Sequence, residues 1–175
     1  FFNRHAEVIN CDAEEFLKTN SNKYDIVFID PARRGKNGEK VVLLENCTPN
    51  ILLMIPEIKK ITNYLAIKLS PMFDIKQLLS QLHCVKSIYS IGVDNECKEI
   101  FVIIDFCTTD SNTKIVAVNI SESDNEISIM QSDFFEEASI ESVYPSDFGK
   151  YLYEPYASFL KSGLSKTIAN RYDAN

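Results

Sequence analysis

The string Tyr24-Asp25-Ile26-Val27-Phe28-Ile29-Asp30-Pro31-Ala32-Arg33-Arg34-Gly35 constrains this chain more than any other. Its four consecutive apolar residues show no alternation. They predict a strand buried on both faces, as in a parallel sheet covered by helices on each side. Asp30 would then stand at the carboxyl end of the strand, where ligand crevices in such sheets open. Proline fixes the turn and removes a backbone donor, which leaves carbonyls free to accept from a ligand. An acid, a proline and two arginines converge on one point.

The surrounding pattern predicts where that strand lies. Residues 7–11 read as a short strand. Asp12 follows it as a candidate cap for a helix over 13–18, with Glu15 completing a capping-box pattern. Residues 50–61 look helical, with Pro56 bending or restarting the helix. Residues 64–69 form a second buried-type strand ending at Ser70-Pro71, and Asp74 starts a helix through Leu78, Leu79 and Leu82. Residues 85–93 and 99–106 are strands around the turn-favouring Asp94-Asn95. The order β-α-β-α-β-α-β-β predicts an α/β sheet, mostly parallel, with one antiparallel strand at its end.

A polar stretch, Thr108-Thr109-Asp110-Ser111-Asn112, is the candidate domain boundary. Beyond it, 114–120 and 126–130 read as a hairpin, followed by an acidic, irregular stretch through Tyr144-Pro145. A helix then begins near Pro155 and runs to about Arg171, with Ala157, Leu160, Leu164 and Ile168 on one face. Lys161, Lys166 and Arg171 lie opposite that face, as a solvated face or an RNA-facing stripe.

Charge and cysteine usage narrow the class. A formal charge of −7 argues against a uniformly basic nucleic-acid binder but leaves room for a local basic patch. The five cysteines lack C-x-x-C spacing, and with two histidines this suits reduced thiols rather than a disulfide framework or a zinc site. His5 and His83 have no metal-like partners, so no metal is expected. No apolar run approaches the roughly twenty residues of a membrane span, and no signal-like core is present. The expectation is a cytoplasmic protein without a membrane partner. The chain starts at Phe1, with its first expected strand almost at once, and is expected to be a fragment.

Three features together resemble the second half of a class I S-adenosylmethionine-dependent methyltransferase. Val8-Ile9-Asn10-Cys11-Asp12-Ala13 looks like that family's third strand with its terminal acid. Asp30-Pro31-Ala32-Arg33 sits where the Asp-Pro-Pro-type catalytic motif follows the fourth strand, and the antiparallel pair matches the last two strands. Further strings are similar to bacterial methyltransferases carrying a THUMP-like domain. These are Lys68-Leu69-Ser70-Pro71-Met72, Asn95-Glu96-Cys97-Lys98-Glu99, Leu152-Tyr153-Glu154-Pro155, Lys161-Ser162-Gly163 and Ala169-Asn170-Arg171-Tyr172.

The resemblance implies a partial Rossmann-like methyltransferase sheet over 1–110, a small α+β, ferredoxin-like segment over 111–148, and the start of a THUMP-like domain with a C-terminal helix over 149–175. The implied cofactor is S-adenosylmethionine and the implied substrate a base in structured RNA, ribosomal or transfer. Asp30, Pro31 and Ala32 would be catalytic, orienting the nitrogen that takes the methyl group. Asp12 and Ala13, with Asp30, would bind the cofactor, Asp12 at the adenine amine. Arg33, Arg34 and Lys68 would bind substrate, the arginines through phosphate. The family's glycine-rich loop and its ribose-binding acid would both precede Phe1, so the fragment alone is expected to be inactive.

The chain also departs from the family pattern. Ala32 stands in place of a second proline, with no aromatic residue after it to stack on a base. Uracil-C5 methylation needs a cysteine after the next strand, and Leu69-Ser70-Pro71 supplies none, so covalent chemistry of that kind is excluded. A catalytically degenerate RNA-binding or interaction module is the alternative. A methyltransferase acting on protein or a small molecule is the third possibility.

Overall fold

The computed structural model describes residues 7–32, 42–108, 112–142 and 149–173. Six strands share one sheet: β1 (Val27–Ile29), β2 (Tyr64–Leu69), β3 (Val85–Val93), β4 (Glu96–Asp105), β5 (Lys114–Ser121) and β6 (Glu126–Ser132). Their order across the sheet is β1-β2-β4-β3-β5-β6. The pairs β1–β2 and β3–β5 are parallel, whereas β4 and β6 run against their neighbours, so four of the six strands point one way.

The sheet is thus α/β and mostly parallel in direction, but it holds two antiparallel strands rather than the one expected. The position of β4 follows from its connection. Asp94 and Asn95, with φ of 47° and 61°, make a two-residue turn that keeps β4 beside β3. β4 therefore fills the place between β2 and β3. The hairpin expected beyond residue 112 forms, and β5 joins β3 in the same sheet.

The helices are α1 (Ala13–Thr19), α2 (Ile51–Ile61), α3 (Ile75–Gln81), α4 (Phe134–Ser139), α5 (Ala157–Ser162) and α6 (Ser165–Arg171). Asn50 caps α2, its side chain accepting from the Leu53 N–H at 3.3 Å, and Asp74 caps α3 through the Gln77 N–H at 2.8 Å. Pro56 sits inside α2 without dividing it; the proline is exposed, where the missing hydrogen bond faces water.

The buried core grows from one face of the sheet. Leu65, Ile67 and Leu69 of β2, Ile88 of β3, Ile100, Val102 and Ile104 of β4, Ile115 and Ala117 of β5 and Met130 of β6 form a single cluster. Ile51, Met54, Ile58 and Ile61 of α2, Ile75 and Leu78 of α3, Phe159 of α5 and Ile168 of α6 complete it. Each Val, Leu, Ile, Met or Phe among them contributes about 1.5–3 kcal/mol by leaving water. The opposite face carries Phe28, Phe101, Ile127 and Ile129, none of them buried. This corrects the expectation of a strand covered on both sides: Phe28 is 56% exposed because the helices pack on the other face.

Four further expectations change. Residues 7–12 form no strand, and Val8 and Ile9 are exposed, since the sheet begins at β1 and offers them no partner among the described residues. Only Val27–Ile29 of the 24–29 run belongs to a strand, Tyr24 making an isolated bridge to Thr62. Part of the stretch expected to be irregular is α4, with Asp133 accepting from the Phe135 and Glu136 N–H groups at 2.8 Å. The single C-terminal helix is two, because Gly163 adopts φ 76° after α5. That break puts Lys161 on α5 and Lys166 and Arg171 on α6, so no single helix face carries all three. Lys166 instead donates to the Ile140 carbonyl at 2.8 Å.

Two joints hold the C-terminal helices. Asn95 accepts from the Ala157 N–H at 2.7 Å, and Ser90 Oγ donates to the Ser158 carbonyl at 2.7 Å. Here α5 lies so close that a Cβ on Gly92 would meet Ser158 Oγ at 3.0 Å and Ser158 Cβ at 3.1 Å. At the second joint, Glu137 of α4 accepts from the backbone N–H groups of Lys166 and Thr167, both at 2.9 Å, and from the Thr167 hydroxyl at 2.8 Å. Burial pushes the Glu137 carboxyl up, yet these donors outweigh it and hold it below its ordinary value.

Each joint generates a test. Gly92→Ala lowers stability by about 1–3 kcal/mol, because the new methyl overpacks against α5; urea unfolding measures it, and an unchanged midpoint contradicts the close approach. The Glu137 contribution is fully present above the ordinary glutamate value of 4.5 and is lost as pH falls through the lower folded value. An acid titration followed at the Lys166 and Thr167 amide resonances reads this directly. Resonances that move already at neutral pH would contradict it.

Candidate functional site

Strand β1 ends at Ile29, and the next residue, Asp30, stands at its carboxyl end. Lys68 lies one residue before the carboxyl end of β2, the parallel neighbour, and its Nζ reaches Asp30 Oδ2 at 2.5 Å. The lysine is register partner to Phe101 of β4, and Phe101 stacks on Phe28 with ring centroids 6.0 Å apart. The ion pair therefore sits above an aromatic pair on the face that the helices leave open. After β2, Ser70 Oγ accepts from the Met72 N–H at 3.3 Å and shapes the turn that carries Pro71.

The turn after β1 is pinned from the other side. Pro31 is buried, Ala32 is exposed, and the Ala32 N–H donates to the Thr48 carbonyl at 3.1 Å. Pro49, next to Thr48, helps line a cleft of about 410 Å³ together with Asp12, Ala13, Glu14, Glu15 and Lys18. The Thr48-Pro49 segment thus links the turn bearing Asp30, Pro31 and Ala32 to the cleft bearing Asp12 and Ala13. Nothing in the sequence pointed to that segment, and the Phe28–Phe101 stack was equally hidden.

Asp12 occupies the N-cap position of α1, but its side chain makes no capping hydrogen bond. The capping box expected with Glu15 does not form. Asp12 is exposed, and it lines the cleft instead of closing the helix backbone. Arg33 and Arg34 lie outside the described residues, as do the glycine-containing loop after them and His5.

Cysteine chemistry has no foothold beside this turn. Cys47 adjoins Thr48 in sequence, but it is buried, and burial pushes its thiol up to about 11. Such a thiol stays neutral and is a poor nucleophile. Cys97, half-buried near Lys161, is raised by burial as well. Glu96 pairs with Lys98 at 2.5 Å in an exposed position beside the β3–β4 turn. No described helix is long and apolar enough to cross a membrane, and no described group of three or more acids, histidines and cysteines is placed to hold a metal.

No protein-family model matches the chain, and no curated protein matches its sequence at a significant level. Among solved structures the chain is similar to a protein from Porphyromonas gingivalis W83 described as a "putative methyltransferase". The two are 28% identical, with a TM-score of 0.72 over 84% of this chain and 36% of the other. The chain has a methyltransferase fold and spans little more than a third of the length of that structure.

The free Asp12 carboxylate gives a test at the level of stability. Asp12→Ala should change stability by no more than about 0.5 kcal/mol, whereas Asp74→Ala, which removes a working cap, should cost about 1 kcal/mol. Chemical denaturation of the two variants measures the contrast. Equal losses would mean that Asp12 caps α1 after all.

Proposed function

We propose that the protein is an S-adenosylmethionine-dependent methyltransferase acting on a base nitrogen in structured RNA. The observation that carries this is the convergence of three parts within a methyltransferase fold. They are the Asp30-Pro31-Ala32 turn at the carboxyl end of β1, the Asp12–Ala13 cleft, and the Thr48-Pro49 segment joining them.

The cleft residues fit the cofactor's adenine. Asp12 offers an exposed carboxylate that its own helix does not use, suited to an exocyclic amine, and Ala13 leaves room for a flat ring. When bound, S-adenosylmethionine supplies the electrophilic methyl group. The rest falls to residues of this chain. Asp30 and the carbonyl of Pro31 accept hydrogen bonds from the N–H of the acceptor and aim its lone pair. Orientation of this sort is most of the catalysis, because the sulfonium is already a good leaving centre. Arg33 and Arg34 follow in sequence and would hold phosphate, where the planar guanidinium fork suits two oxygens at once.

The test uses the full-length protein, tritiated S-adenosylmethionine and unmodified ribosomal and transfer RNA transcripts. RNA is expected to become labelled, and Asp30→Ala to lower kcat by about a hundredfold, the scale of losing acceptor alignment. RNA binding should weaken steeply with salt as phosphate contacts are screened. Salt-insensitive binding without label would point to a protein or small-molecule acceptor. Cofactor binding without transfer to any acceptor would point to an interaction module.

A further inference from the structure

The Lys68–Asp30 pair holds the least exposed lysine of the ion pairs among the described residues, although the Asp105 carboxylate paired with Lys86 is more buried than Asp30. The Lys68 side chain is only 25% exposed, against 66% for Lys60, 56% for Lys86 and 46% for Lys98 in theirs. Glu57–Lys60 and Glu96–Lys98 are pairs of near neighbours in sequence, of the kind that contributes little. Lys68 and Asp30 belong to separate segments of the chain and meet because β1 and β2 are parallel and in register. A lysine seeking only water had an open sheet face before it. Here the ammonium reaches instead the Asp30 carboxylate at the end of β1.

We infer that Lys68 is a positioning residue: it fixes the Asp30 carboxylate toward the acceptor rather than binding substrate itself. Lys68 Nζ holds Oδ2 from the β2 side, while the Ala32 N–H ties the following turn to Thr48 from the other. The carboxylate is held through Oδ2 and the backbone that follows it through Ala32, which is the kind of preorganisation that alignment requires. An ammonium already engaged at 2.5 Å is also poorly placed to serve as a first contact for phosphate. On this inference Lys68 acts through Asp30, where the sequence reading has it bind substrate directly. The inference rests on the methyltransferase reading for its kinetic arm, though not for its structural one.

Two measurements test it. Hydrogen exchange on the full-length protein compares Lys68→Met with wild type over residues 29–32, and faster deuterium uptake there is expected. Unchanged uptake overturns the bracing whether or not the protein is an enzyme. With tritiated cofactor and the RNA transcripts above, Lys68→Met should lower kcat about tenfold or more and leave KM within about twofold. Lys68→Arg should restore kcat to within about threefold, since a guanidinium can reach the same oxygen. In an Asp30→Asn background, Lys68→Met should cost nothing further, because a residue that acts through Asp30 has nothing left to act on. A raised KM with unchanged kcat, or an added loss in the Asp30→Asn background, would make Lys68 a substrate contact and overturn the inference. Wild-type protein that labels no RNA would sink the functional proposal instead, and the exchange result would still decide the bracing.

Discussion

Among the described residues the helices pack on one face of the sheet, and the other features depend on that packing. The large buried side chains of the sheet project toward α2, α3, α5 and α6, and the shared cluster runs from β2 to β6, with Val27 and Ile29 of β1 packed at its edge. Strands of mixed direction can share a sheet because the ladder tolerates either sense, but a helix layer needs a continuous apolar floor. Ile67, Ile88, Val102 and Ile115 supply that floor from four different strands. The crossover helices α2 and α3 lie where they do because this floor is the surface they can cover. The strand ends, and Asp30 and Lys68 with them, are then fixed by register rather than by loops.

The site inherits its order from that arrangement. Side chains mounted at the ends of paired strands lose little further entropy when they bind, which is why rigid elements make better mounts than loops. Asp30 benefits from β1 being hydrogen-bonded to β2, and Asp12 from the short helix behind it. The cleft residues and the strand-end residues come from separate parts of the chain. A carbonyl from Thr48 is what sets one against the other.

Much of this was legible in the sequence, for identifiable reasons. Asp74 and the Asp94-Asn95 pair are local signals, a cap and a turn, and they depend on neighbours within three residues. β2, β3, β5 and β6 declared themselves by apolar runs between polar breaks. What failed was mostly nonlocal. An unalternating run does not reveal that one of its faces will lack a covering layer, so Phe28 could not be foretold as exposed. Residues 7–11 have strand composition but no partner to pair with among the described residues. Helix α4 was detectable, since Asp133 with Glu136 three residues on is a capping pattern, and Gly163 was a visible stop signal inside the expected C-terminal helix. At the site, Asp30 and Lys68 were each legible as strand-end charges; their mutual contact was not, because only register brings them together.

The attachment of α5 carries a kinetic consequence. Asn95 and Ala157 meet across 62 positions, and Ser90 and Ser158 across 68. By contrast, the β3–β4 hairpin closes through a two-residue turn. Closing a long loop costs entropy before its contacts give anything back, so the hairpin and the crossover helices are placed to assemble first, with α5 laid on afterwards. Contacts made after the folding barrier govern how fast the native state comes apart, not how fast it forms. The seam between Gly92 and Ser158 would then act as a latch on the lifetime of the folded protein, closed last on folding and opened first on unfolding.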